Sequence, residues 1–134
     1  MSTPVQTPQD RRYTRSHEWV RVDGQTAYVG ITDYAQDALG DIVFVELPPI
    51  DEAFRKEEEV ATVESVKAAS PIFAPAGGTI VEVNRELEQT PELLNRMPWE
   101  TMIYALRLED PEELSALLDP AAYDEHVEQE KAAH

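Results

Sequence analysis

Val60-Ala-Thr-Val-Glu-Ser-Val-Lys-Ala-Ala-Ser-Pro-Ile-Phe-Ala74 reads as two short β-type runs, Val60 to Ser65 and Ala68 to Ala74, that meet at a lysine. Branched and small apolar residues suit the two arms of a hairpin, and a polar residue such as Lys67 suits its tip. Lys67 is one of three lysines in the chain, and the other two, Lys56 and Lys131, stand among glutamates where charge balance accounts for them. Lys67 has Val66 before it and Ala68, Ala69 and Ser70 after it. From these residues alone it is either an ordinary polar tip or a tether whose amine nothing bulky obstructs.

Outward from this hairpin the β pattern continues. Trp19 to Val22 and Thr26 to Gly30 flank Asp23-Gly24, a dipeptide that tolerates the positive φ angles of a tight turn. Thr32 is placed to cap a short helix over residues 33–39, stopped by Gly40. The stretch from Asp41 to Leu47 reads as a strand apolar on both faces, ended by Pro48-Pro49. Residues 50–59 are mainly charged, with Ile50 and Phe54 expected to anchor them to the core. Pro75-Ala-Gly-Gly78 signals a turn before a strand from Thr79 to Asn84. Gly40-Asp-Ile-Val-Phe-Val45 and Gly78-Thr-Ile-Val-Glu-Val83 echo one another, which suggests two similar half-units.

The C-terminal third turns helical. Thr90-Pro-Glu-Leu-Leu94 fits one helical turn with proline at its first position, and Thr101 to Leu108 fits a last strand. Asp110-Pro111 opens a helix expected to run through Leu118, and Asp119-Pro120 opens another toward Glu130. The whole reads as mainly β, with short helices and C-terminal helices. One domain is expected over residues 13–134, after a loose segment over residues 1–12 that is polar and carries Pro4 and Pro8.

Composition narrows the function classes. With 27 acids against 11 bases the formal charge is −16, which disfavours nucleic acid and anionic membranes and favours basic partner surfaces. Half of that charge lies in the acidic tail from residue 109, where nine acids face one lysine. No cysteine is present, excluding disulfides, thiolate metal sites and a cysteine nucleophile. No apolar run approaches the ~20 residues of a membrane span, and the N-terminal residues lack a signal-peptide core, so a cytoplasmic monomer is expected. His17-Glu18 has no second histidine at helical spacing, and His126 and His134 lie far off in the tail, so no metal site is expected. Trp19, Tyr28, Phe44 and Phe73 are expected in the core.

Ser16-His-Glu-Trp19, Gly30-Ile-Thr-Asp-Tyr-Ala-Gln36, Leu39-Gly-Asp-Ile-Val-Phe-Val-Glu-Leu-Pro48, Val63-Glu-Ser-Val-Lys-Ala-Ala-Ser70 and Pro91-Glu-Leu-Leu-Asn95, in that order and spacing, resemble the H proteins of the glycine cleavage system. The resemblance runs from about Tyr13 to Tyr123 and implies a barrel-sandwich hybrid of the lipoyl and biotinyl type, with two antiparallel sheets. It implies lipoic acid in amide linkage to Lys67, within the motif of Glu64, Ser65, Val66 and Ala68. Biotinyl domains usually set their lysine between methionines, and Val66 and Ala68 stand there instead.

The family role implies a non-catalytic carrier. Its partners would be a pyridoxal-phosphate glycine decarboxylase that loads an aminomethyl unit, an aminomethyltransferase, a dihydrolipoamide dehydrogenase and the lipoate-attaching enzymes. Ser16 and Glu18 match positions that hold the loaded amine in a surface cleft. Three departures surround the arm: Pro71 replaces a common aspartate, Asp51 and Glu57 replace common glycines, and Pro98-Trp-Glu-Thr101 shortens a Pro-Tyr-Gly-x-Gly-Trp segment. They leave open a second carrier reading, that of H-protein-like lipoate-binding proteins serving a heterodisulfide-reductase-like complex in sulfur oxidation. Other classes are an unmodified interaction module, a biotinyl carrier and a small hydrolase using Glu18 and Asp41.

Overall fold

The computed structural model describes residues 6–133 and builds two antiparallel sheets. The larger orders its strands β1 (Arg12–Tyr13), β2 (Glu18–Asp23), β3 (Thr26–Ile31), β9 (Tyr104–Leu108), β8 (Gly78–Val83) and β5 (Ala53–Phe54). The smaller orders β4 (Ile42–Glu46), β6 (Glu59–Ser65) and β7 (Ala69–Phe73). The two echoing segments thus fall in opposite sheets, β4 in one and β8 in the other. Val29, Ile31, Ile80, Leu106, Ile42, Val45, Val63 and Ile72 fill the space between the sheets, and each such side chain contributes about 1.5–3 kcal/mol by burial.

Helix α1 (Asp33–Leu39) is capped as its sequence dictates: Thr32 Oγ1 accepts from the Ala35 amide at 3.2 Å, and Gly40 ends the helix at φ +79°. Gly30 has a packing reason, since a Cβ there would stand 2.5 Å from the Trp19 ring.

Several expectations are corrected. β4 is not apolar on both buried faces: a bulge between Ile42 and Phe44 lets Ile42 and Val45 both point inward, leaving Val43 54% and Phe44 48% exposed. Ile50 is exposed as well, while Phe54 does pack against the core. Trp19 is buried, and Tyr28 and Phe73 are half-buried. Helix α2 (Glu86–Gln89) has no counterpart among the expected elements, and α3 (Leu93–Arg96) begins two residues beyond Pro91. Thr101 to Ile103 precede β9 as irregular chain. Pro111–Ala116 is a 3-10 helix that stops short of Leu118, because Leu118 pairs with Tyr13 as a β-bridge.

Helix α4 (Pro120–Ala132) forms from its Asp119 cap as expected. It is more than a solvated face, because Tyr123 is buried and stacks on Tyr13 at 4.6 Å. The expected loose N-terminal segment falls partly on residues 1–5, outside the described residues; from there on the chain is anchored. Arg12–Tyr13 pairs with β2, and the Tyr13 hydroxyl donates to the Pro8 carbonyl at 2.7 Å. No helix among the described residues is long and apolar enough to cross a membrane.

Candidate functional site

Lys67 sits at the tip of the β6–β7 hairpin, and the chain fixes its backbone while leaving its side chain exposed. The Ser65 amide donates to the Ala68 carbonyl at 2.8 Å, and Ser65 Oγ accepts from the Lys67 and Ala68 amides at 3.1 and 3.2 Å. A serine at this position supplies the acceptor that two turn amides would otherwise lack. The Val66 amide donates to the Asp41 carbonyl at 3.0 Å, which ties the tip to the loop ahead of β4. Glu64, Val66 and Ala68 are exposed around it, Val66 to 67%.

Among the described residues, Lys67 Nζ has no hydrogen bond or ion pair. A primary amine that is exposed, unpaired and mounted on a pinned turn meets the steric demands of an attaching enzyme. The stem crosses Gly40, where an added Cβ would lie 3.4 Å from Lys67 Cε. Glycine is favoured there by its positive φ, and a Cβ would meet the flexible lysine stem only at ordinary contact distance.

Asn95 is the residue that sequence reading quoted but did not explain. Its Nδ2 donates to the Gly40 carbonyl at 2.9 Å and to Gln36 Oε1 at 3.0 Å, and its Oδ1 accepts from the Ile42 amide at 2.9 Å. One amide thus clamps both sides of Asp41, whose carbonyl holds the hairpin tip. Only the Pro91-to-Asn95 motif hinted at this, because the partners lie 53 to 59 positions away in the chain.

Ser16 and Glu18 both line a cleft of about 590 Å³, together with Tyr13, Lys56 and Phe73. Glu18 is fully buried. Its Oε1 accepts from Ser16 Oγ at 2.6 Å and from the Thr14 hydroxyl, and its Oε2 accepts from the Phe73 amide at 3.2 Å. Three donors offset the desolvation of this carboxylate. The Phe73 carbonyl accepts from the Tyr104 hydroxyl at 3.0 Å, so Glu18 and Tyr104 hold the end of β7 from both sides. Burial first, and the Glu18 charge second, raise the Tyr104 phenol well above its ordinary pKa.

From Lys67 to Phe73 the chain spans at most about 20 Å, so β7 leads from the tip to the cleft. Pro71 lies between them, exposed on β7, an edge strand whose outer side needs no ladder donor. Lys56, read from its neighbours as a surface charge, lines the cleft instead. Asp41 does not line it, so the carboxylate pair of the hydrolase reading is not assembled there. Asp51 and Glu57 both adopt left-handed backbone, at φ 73° and 72°. The two histidines that looked unrelated, His17 and His126, are brought side by side by α4, 5.3 Å apart.

Comparison with known proteins gives one answer. A model of the family described as "Glycine cleavage H-protein" matches residues 11–130. The chain is 55% identical over 124 residues to the glycine cleavage system H protein of Thermus thermophilus, covering 92% of this chain and 97% of that protein. It is 46% identical over 127 residues to the glycine cleavage system H protein of Syntrophomonas wolfei, covering 95% and 98%. The crystal structure of a glycine cleavage system H protein from Mycobacterium marinum matches with a TM-score of 0.81 at 35% identity, over 92% of this chain and 98% of that one. With its motifs, sheet order and relatives in agreement over most of its length, the chain belongs to the glycine cleavage H-protein family.

Proposed function

We propose that Lys67 is the attachment point of a lipoyl arm through which this protein serves as a lipoyl carrier of the glycine cleavage system. The observation that carries the reading is the exposed, unpaired Lys67 amine on a turn pinned by Ser65 and Asp41. When attached, lipoic acid would supply a dithiolane whose S–S bond opens on taking up a group, is left as a dithiol when the group departs, and is closed again by a partner that removes two electrons. The chain supplies position and effective concentration at each partner's active site. Amide formation removes the lysine charge, making the net charge one unit more negative than −16. No thiol of the chain competes for the arm, because there is no cysteine.

Residues 13–134 act as one carrier domain, without catalysis of its own. Its partners are the pyridoxal-phosphate glycine decarboxylase, the aminomethyltransferase, the dihydrolipoamide dehydrogenase and the lipoate-attaching enzymes. Ser16 and Glu18 are the groups that receive a cationic amine at the cleft. As folded, the Glu18 oxygens are filled by the chain's own donors, so the amine engages Glu18 when the exposed Ser16 hydroxyl turns aside. Pro71 adds no acceptor, which leaves the attraction to Glu18. The relatives reported above carry glycine cleavage names, and none of them supports the sulfur-carrying alternative.

The test is exchange of labelled bicarbonate into glycine by glycine decarboxylase. Lipoylated wild-type chain is expected to support exchange and Lys67→Arg to abolish it. Absence of exchange by a lipoylated chain that dihydrolipoamide dehydrogenase still reduces would contradict the pathway.

A further inference from the structure

A second cluster of side chains lies where α4 crosses the turn before β2. His17 occupies that turn at φ 70°, and His126 and Glu130 face it from successive turns of α4. Their ligand atoms lie within 4.8 Å of one another. Glu130 bridges the two rings, with Oε2 2.8 Å from His17 Nε2 and Oε1 3.0 Å from His126 Nε2. The histidine side chains are only 13% and 14% exposed.

The protons in this cluster can be followed. The Tyr123 hydroxyl donates to Thr32 Oγ1 at 2.6 Å, so its oxygen accepts from His17 Nδ1, 2.8 Å away. Burial raises the Tyr123 phenol far above its ordinary pKa, so the donor stays in place. With its proton on Nδ1, neutral His17 turns the lone pair of Nε2 toward a carboxylate oxygen, and two acceptors face each other. A positive centre between them, a proton or a metal ion, resolves that conflict. His126 Nε2 also lies 2.9 Å from the Arg15 carbonyl, which adds a fourth candidate donor to the same corner.

We propose that His17 Nε2, His126 Nε2 and the Glu130 carboxylate form a binding site for a divalent transition-metal ion of the zinc class. Two imidazoles and a carboxylate are the donors such ions take, whereas calcium and magnesium ask for oxygen alone. Bonds of about 2.0–2.2 Å around a tetrahedral ion hold its donors roughly 3.3 Å apart. The two histidine–Glu130 contacts open by a few tenths of an ångström, while the widest separation among the donors, within 4.8 Å, closes toward that value. The Nδ1 contact to Tyr123 is the outer hydrogen bond that fixes a metal-binding tautomer. The fourth position falls to the Arg15 carbonyl or a water. An ion so placed staples the C-terminal helix to the turn that carries Ser16 and Glu18, and stiffens that wall of the cleft.

The test uses the full-length chain without an affinity tag, stripped with chelator and titrated with zinc chloride by calorimetry. One ion per chain is expected. With zinc about a hundredfold above Kd, Tm is expected to rise by roughly 10 °C. His126→Ala and Glu130→Gln, each checked for an intact fold by its metal-free melt, are expected to weaken binding by more than about tenfold. Cobalt(II) serves as a second probe, its visible bands expected in wild type and lost in both variants. No binding by the wild-type chain at millimolar zinc, or unchanged affinity in both variants, would overturn the assignment.

Discussion

Glu57 shows what single residues do around the arm. It and Asp51 stand where the resemblance implies glycine, and both adopt the left-handed backbone that glycine takes up freely. The conformation is held from outside: the Glu57 amide donates to the Ala74 carbonyl and the Asp51 amide to the Ile80 carbonyl, both at 2.8 Å. For a residue with a Cβ this costs about 1–2 kcal/mol, less for aspartate than for glutamate. Glycine recovers that cost but loses about 0.5–1 kcal/mol through its freer unfolded chain. Glu57→Gly is therefore expected to raise unfolding stability by up to about 1 kcal/mol, and Asp51→Gly to change it little, both measured by chemical denaturation. Loss of stability in Glu57→Gly would contradict the strain argument. The two acidic residues were legible in the sequence, whereas their left-handed backbone was not, because hydrogen bonds to β8 and to the chain after β7 impose it.

Hairpin β6–β7 was readable from its own residues, since the branched runs, the serine and the lysine all act locally. Its support was not, because it comes from α3 and the loop ahead of β4. Asn95 Nδ2 and Oδ1 close both sides of Asp41, and the Asp41 carbonyl holds the Val66 amide. Asn95→Ala is expected to cost about 1–3 kcal/mol through unsatisfied buried groups. It is also expected to speed hydrogen exchange at the Val66 amide more than at Val63, in the middle of β6. Equal protection of Val66 in variant and wild type would show that the tip stands without this clamp. β4 teaches a related lesson: its apolar run suggested burial on both faces, but a bulge shifted the register and exposed Phe44. A bulge leaves no sign in hydrophobicity alone.

At the scale of the whole molecule, the mainly β character and two similar half-units were legible from the strand pattern and internal echo, whereas the two-sheet architecture and the place of Lys67 on it came with the family motifs. The docking of the acidic tail was not, since charge dominates its composition and one tyrosine decides its packing. Tyr13, Tyr104 and Tyr123 all have phenols raised by burial above the ordinary value of 10.0. The unfolded chain releases these protons first, so their contribution to stability is complete below about pH 10 and lost as pH climbs toward the folded values. Phenolate absorbance of these three is expected to appear together with loss of the fold in an alkaline titration; stepwise ionisation within a folded chain would contradict their burial. The central claim, that Lys67 is the tether, is tested most directly by intact mass after treatment with a lipoate ligase and lipoate. One added lipoyl mass on the wild-type chain and none on Lys67→Arg is the expected result. An unmodified wild-type chain under conditions that lipoylate a known carrier, or an equally modified Lys67→Arg, would contradict it.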